Sequence, residues 1–114
     1  MENYKPINFS LEKMKRSYLP EFIKEFEDDI LKGEFNGEDL STANFYLQKA
    51  YQALEDLKQG NFENAKEIIN YDIQRLEGWT KVLAEESLNI DQISKTMLKI
   101  EHLKQLREEF LKDI

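Results

Sequence analysis

The chain has 114 residues, a formal net charge of −7 and no cysteine. This length suffices for one domain with its own hydrophobic core, and the lack of cysteine excludes disulfides, thiolate metal sites and a cysteine nucleophile. The excess of acidic residues argues against nucleic-acid binding, which relies on Lys and Arg, and no apolar stretch approaches the roughly 20 residues that cross a membrane.

The first predicted elements are an N-terminal arm or short helix, residues 1–18, and a main helix over about 20–32. Residues 1–8 are expected to form a loose arm, and Ser10 can cap the short helix. Pro20 suits a first helical turn, where its missing N–H costs nothing. The apolar side chains around and after Pro20 share one face of the helix up to Gly33: Leu19, Phe22, Ile23, Phe26 and Ile30.

A second main helix is predicted over about 40–59, with Asp39 as its cap. Its apolar residues alternate spacings of three and four: Leu40, Ala43, Leu47, Ala50, Leu54 and Leu57. This period is typical of helices in an antiparallel bundle or coiled coil. The alanines predict close approach to one neighbouring helix.

A turn at Gly60 and Asn61 separates this helix from a third one over about 61–88. Gly60 suits the left-handed position after a helix, and Asn61 can cap the next one. The hairpin resembles a tetratricopeptide repeat at Ala53, Gly60, Phe62, Ala65 and Ile69. The Leu-Gly pair and the closing proline of that family are missing, and no second copy follows at its spacing. We therefore interpret the segment as a lone helical hairpin, not as part of a peptide-binding array.

Gly78 could end the third helix or lie inside it. The apolar stripe keeps its seven-residue phase from Phe62 to Leu83, with Trp79 between, which favours one continuous helix. A last helix is predicted over about 91–112, capped by Asn89 or Asp91. Its apolar stripe comprises Ile90, Ile93, Met97, Ile100, Leu103, Leu106 and Phe110.

Together these elements predict an all-α fold, an antiparallel bundle of four main helices. The bundle, residues 19–114, and the N-terminal arm or short helix, residues 1–18, are expected to form a single domain, 1–114.

No catalytic, cofactor or metal site is predicted. His102 is the only histidine, and its neighbours Lys99 and Lys104 are not carboxylates that could orient it. There is no glycine-bracketed nucleophile and no phosphate-binding glycine loop. The acids around Gly33 fail the calcium-loop spacing, because Ile30 and Lys32 stand where ligands are needed. We therefore expect a protein that is not an enzyme.

Three aromatic residues, Phe35, Phe45 and Tyr71, lie outside the apolar stripes. The N-terminal arm with Tyr4, Ile7 and Phe9 could cover them, or they could contact a partner protein, since aromatic anchors are enriched at interfaces. A compact basic patch, formed by Lys13, Lys15 and Arg16, is a candidate for contacting an anion.

The leading hypothesis is a small acidic protein-binding module of the inhibitor, immunity, adaptor or antirepressor type, of the kind that bacteria and their mobile elements encode. Its partner would be another protein that could carry a basic surface, not a nucleic acid or a membrane. The alternative is a homo-oligomer, such as a homodimer, that binds a small ligand such as a nucleotide at a subunit cleft lined by the basic patch and by tyrosines. A cytoplasmic location is expected because no export signal is recognised.

Overall fold

The computed structural model describes residues 9–86 and 90–114, and within these ranges the chain is helical and contains no strand. The elements are α1 (Phe9–Lys13), a π-helical segment (Met14–Tyr18), α2 (Leu19–Leu31), α3 (Glu38–Lys58), α4 (Glu63–Glu86) and α5 (Ile90–Asp113). This confirms the predicted all-α bundle of four main helices. The predicted arm over residues 1–8 and the candidate cap Asn89 lie outside the described residues.

The first three elements form one uninterrupted helix, residues 9–31, which we call the N-terminal rod. The Leu19 N–H donates to the Met14 carbonyl five residues earlier, and Tyr18 and Leu19 both keep right-handed helical dihedral angles. Pro20 therefore lies inside a helix and does not start one. A proline in an α-helix clashes with the carbonyl four residues before it, and the wider π turn directly upstream accommodates the ring. Ser10 is not a cap but is buried, where it donates to Asp113 of α5.

Consecutive helices pack antiparallel, α2 on α3, α3 on α4 and α4 on α5, while α1 packs on α5 and closes the bundle. The turn at residues 59–62 marks one end of the bundle. The loop at residues 32–37, the end of α4 and the start of α5 lie at the opposite end, which we call the distal end. At the turn, Gly60 has φ of 78° and the Glu63 N–H donates to the Asn61 side chain at 3.2 Å, as predicted.

The core takes buried apolar side chains from every helix, including Met14, Leu19, Phe26, Ile68, Ile69, Ile73 and Phe110. Small side chains line the faces on which α3 meets its neighbours: Ala43, Ala50 and Ala53 on α3 and Ala65 on α4 are all buried, and α3 packs against both α2 and α4. Gly78 lies within α4, which confirms the single helix across it.

The start of α3 differs from the prediction. Gly37, with φ of 57°, occupies the cap position, and the Asp39 N–H donates to the Asn36 carbonyl at 3.1 Å. The predicted capping role of Asp39 is therefore wrong, because the positive φ of Gly37 lets the helix begin earlier. Asp39 lies in the first turn of α3, where a negatively charged side chain interacts favourably with the helix dipole.

The core stops short of the distal end. In α4 the only buried residue after Leu76 is Leu83, and in α5 the first is Ile100. Ile90 and Met97, which belong to the predicted apolar stripe of this helix, are 77% and 55% exposed. The rod ends at Leu31 and α3 begins at Glu38, so the last turns of α4 and the first turns of α5 pack mainly against each other.

Candidate binding surfaces

The largest concentration of exposed apolar side chains lies on the distal parts of α4 and α5, residues 77–86 and 90–99. Ten large apolar side chains are exposed among the described residues, and five of them lie here: Trp79, Val82, Ile90, Met97 and Leu98. We call these five side chains the distal surface. Scattered apolar residues are normal on a protein, whereas a concentration of them marks a candidate interaction site.

Part of the distal surface lines a groove between α4 and α5 with a volume of about 760 Å³. Its apolar lining comes from Met97, Leu98 and Ile100, and the Glu77–Lys104 ion pair, at 3.1 Å, lies beside it. The other part, Trp79 and Val82, does not line this groove. At about 100° per residue these two side chains lie one turn apart on another side of α4, so the hairpin exposes apolar groups on two sides.

Acidic residues dominate the neighbouring segment at the same end of the bundle. Residues 27–39, which comprise the end of α2, the loop and the start of α3, contain six acidic residues and one lysine. Partial burial and the nearby Glu25 and Glu34 carboxylates raise the pKa of Asp29, as expected where acids are crowded. The distal end therefore combines an apolar hairpin with a negatively charged neighbour.

The three aromatic residues singled out in the sequence belong to one network of ring contacts. Phe26 packs against Phe35, with ring centroids 5.7 Å apart, and against Tyr71 at 6.2 Å. Tyr71 stacks on Tyr46 at 3.6 Å, and Tyr46 contacts Phe45 at 5.1 Å. Phe35 and Tyr71 are half-buried in this network, and only Phe45, 57% exposed, is open to solvent.

The surroundings of Phe45 are polar. Ser41, Asn44 and Gln48 line the shallow depression beside it. The Lys49 ammonium lies 5.2 Å from the ring centroid and also pairs with Glu67. Phe45 is thus a single exposed ring, unlike the group of side chains on the distal surface. Its predicted cover, the arm with Tyr4 and Ile7, lies outside the described residues.

The basic patch does not converge on one point. Arg16 pairs with Glu12 at 2.8 Å, and Lys15 approaches the same residue at 3.8 Å. Lys13 instead lines a groove towards α5. Two of the three cations therefore already have a carboxylate neighbour, and the third faces a different surface.

This second groove runs between the N-terminal rod and α5, and we call it the lateral groove. It has a volume of about 480 Å³, and its lining includes Lys13, Ser17, Tyr18, Glu21, Phe22, Glu25, Asp72, Lys99, His102, Leu103, Gln105, Leu106 and Glu109.

A buried polar cluster contributes to the lateral groove. The Tyr18 hydroxyl donates to Asp72 at 2.7 Å, and Arg75 donates to the other Asp72 oxygen at 2.8 Å. Glu25 in turn lies 3.5 Å from Arg75 and 3.4 Å from Lys99. Asp72 is only 2% exposed. Burial and the Asp72 carboxylate raise the pKa of Tyr18 well above its usual value, so this phenol stays protonated.

The sequence contains a signal for this cluster that the initial predictions did not use. Asp72 stands within the apolar stripe of α4, four residues after Ile68 and four before Leu76. A carboxylate on the buried face of a helix requires a polar partner. No comparable signal marks the distal surface, where the apolar period continues without a change.

Among the described residues, no group of three or more His, Asp or Glu side chains is arranged to hold a metal ion. In this part of the chain no helix combines the length and the apolar character needed to cross a bilayer. Comparisons of the chain with protein-family models, with curated proteins and with solved structures give no match.

Proposed function

We propose that the protein is a non-enzymatic binding module that recognises another protein through its distal end. The observation that carries this proposal is the distal surface, which holds half of the exposed large apolar side chains of the described residues. These side chains contribute little to the bundle core, because the rod and α3 do not extend over them. Exposed apolar groups concentrated in this way are characteristic of sites that pack against a partner.

The shape and charge of the distal end favour a helical partner segment. Two neighbouring helices form a groove with apolar Met97, Leu98 and Ile100 in its lining, and such a groove accepts the apolar face of an amphipathic helix. The acid-rich segment at residues 27–39 lies at the same end, so Lys and Arg beside the apolar face would be attracted to it. The partner would therefore present an amphipathic helix with basic flanks. The proposal covers inhibitor, immunity, adaptor and antirepressor roles, because each requires a specific contact with another protein.

Two matched variants test this assignment. Leu98 and Phe45 are 58% and 57% exposed and lie on different helices, so Leu98→Gln and Phe45→Gln remove comparable apolar surface from two places. The probe is a fluorescent helical peptide of about 20 residues with a leucine stripe and lysine flanks. In anisotropy titrations we expect Leu98→Gln to weaken binding about tenfold or more, because a central apolar anchor is lost, and Phe45→Gln to have little effect.

The controls distinguish the competing interpretations. A peptide of the same composition in which the leucines no longer form a stripe should bind poorly. If it binds equally well, charge alone explains the interaction, which contradicts the proposal. If Phe45→Gln weakens peptide binding and Leu98→Gln does not, the contact lies at Phe45, the aromatic residue predicted from the sequence. Sedimentation over a range of concentrations tests the homo-oligomer alternative. A dimer that Leu98→Gln dissociates would show that the surface binds a second copy of the chain, which would overturn the proposal.

A further inference from the structure

We infer that the lateral groove is a binding site for a small organic cation, a protonated amine carried on an apolar body. The inference rests on the buried polar cluster, on the balance of charges around the groove and on its apolar walls. It is independent of the distal surface, which lies on other residues.

Apolar side chains would fill the volume of the buried cluster equally well. A buried ion pair often contributes no more than apolar residues of the same volume, because both charges lose their hydration. Here Tyr18, Asp72 and Arg75 form a connected set, and Tyr18 and Asp72 line the groove itself. Tyr18 also ends the π-helical segment, and such segments are frequent at functional sites. Polar groups arranged next to a groove are available to a ligand as well as to the fold.

The hydrogen-bonding capacity left in the groove suits a donor. Tyr18 gives its only proton to Asp72, so its oxygen can offer only lone pairs to a ligand. The Asp72 carboxylate receives Tyr18 and Arg75 and is only 2% exposed, but it borders the groove, so its negative charge acts on a ligand there. An ammonium group supplies N–H donors and a positive charge, and charge-assisted hydrogen bonds are the strong ones.

The charges of the lining point in the same direction. Four carboxylates line the groove, those of Glu21, Glu25, Asp72 and Glu109, against two lysines, Lys13 and Lys99, while Arg75 pairs with Asp72 and Glu25 from within the buried cluster. Lys99 is already engaged with Glu25. The groove and the cluster behind it therefore keep an excess of one negative charge, which favours a cation over an anion such as a nucleotide phosphate.

The walls of the groove suit an apolar body of limited size. The side chains of Phe22, Leu103 and Leu106 are buried in the bundle and also line the groove. The aromatic rings of Tyr18 and Phe22 lie on the rod side, where a cation can also interact with a ring face. A volume of about 480 Å³ lies within the range of small-molecule sites.

The first test compares three probes of similar size and different charge: 2-phenylethylammonium, 2-phenylethanol and 3-phenylpropionate. Isothermal titration should show the ammonium binding about tenfold or more tightly than the alcohol, because only the ammonium makes charge-assisted hydrogen bonds. Amide NMR shifts should fall around Ser17, His102 and Gln105, which line the groove. Equal binding of the alcohol, tighter binding of 3-phenylpropionate or ATP, or shifts confined to the distal surface would each overturn the inference.

The second test uses variants. Asp72→Asn keeps the shape of the side chain and removes its charge, and we expect about a tenfold loss of affinity for 2-phenylethylammonium with helicity retained. If Asp72→Asn does not fold, the double variant Glu21→Gln/Glu109→Gln is measured in its place. Both residues are exposed on the rim of the groove, so the variant should keep the fold. We expect a severalfold loss for the double variant and none for Glu55→Gln, an exposed control on α3. Unchanged affinity in a folded Asp72→Asn protein, or in the double variant, contradicts the inference.

Discussion

The two halves of α4 belong to one continuous helix but have different surroundings. Six of its seven buried residues lie between residues 63 and 76, where α3 and α5 pack on the helix and Tyr18 and Phe26 of the rod reach it. The half from 77 to 86 has only Leu83 buried, although it carries Trp79 and Val82. Packing against neighbours therefore stabilises the first half, while the second half depends on its own hydrogen bonds and on α5. Residues of similar hydrophobicity contribute to the core in one half and to the surface in the other.

The largest effect is expected for Phe26→Ala in the core. Phe26 is fully buried, stacks on Phe22 with centroids 4.2 Å apart and lies under the Arg75 guanidinium at 4.9 Å. Truncation leaves a cavity that the neighbours cannot fill, so we expect a loss of about 3–5 kcal/mol in the free energy of unfolding. Urea denaturation followed by circular dichroism measures it. A loss below about 1 kcal/mol would mean that the aromatic cluster is loosely packed.

A smaller loss is expected for Tyr18→Phe, which keeps the ring and removes the hydroxyl that donates to buried Asp72. The carboxylate keeps Arg75 as a partner but loses one hydrogen bond, so we expect about 1–2 kcal/mol at neutral pH. The same denaturation experiment applies. An unchanged midpoint would indicate that water replaces the hydroxyl without cost.

The pH dependence of the same residue gives a second measurement. Folding raises the pKa of the Tyr18 phenol, so above about pH 10 the unfolded chain releases this proton while the folded chain keeps it. The unfolded state then binds fewer protons, and the free energy of unfolding falls as the pH rises, by up to about 1.4 kcal/mol per pH unit for this group. The fall should be shallower in Tyr18→Phe. Identical slopes in the two proteins would exclude Tyr18 as the source.

A gain is expected for Gly78→Ala, at the boundary between the two halves of α4. A Cβ built on Gly78 meets no atom within 4 Å, and the residue lies within the helix. Glycine in a helix interior costs about 0.5–1 kcal/mol relative to alanine, so the variant should be more stable by that amount. Gly60→Ala is the matched control and should be destabilised, because φ at Gly60 is 78°. Destabilisation by Gly78→Ala would show that the helix bends there.

Local patterns in the sequence were sufficient to predict the helices of this fold. The alternating apolar residues of α3 and the Gly60–Asn61 turn predicted a hairpin because both depend on neighbours within a few residues. The rod was predicted less well, because Pro20 resembles a helix start and no residue marks the hydrogen-bond shift of the π turn.

The candidate sites depend on features that local patterns do not record. Tyr18 and Asp72 are 54 residues apart in the chain, so their contact emerges only when the rod packs on α4. At the distal end, Ile90 and Met97 continue the apolar period of α5, and only the lengths of the neighbouring helices determine that they stay exposed. Phe45, which the sequence places outside the apolar stripe of α3, is 57% exposed, and this prediction depends only on the period of its own helix.

The smallest effect is expected for Leu98→Ala on the distal surface. Leu98 and Leu103 lie on the same helix, but their side chains are 58% and 7% exposed. Leu103→Ala should cost about 2–5 kcal/mol through the cavity that it leaves, whereas Leu98→Ala should change the free energy of unfolding by less than about 0.5 kcal/mol. Denaturation at two protein concentrations separates the remaining explanations for a larger effect. A cost above about 1 kcal/mol that grows with concentration would indicate an interface between two copies, and one independent of concentration would place Leu98 in the core. If Leu98→Ala leaves the free energy of unfolding almost unchanged, Leu98 does not stabilise the fold, and its exposed side chain is available to a partner protein.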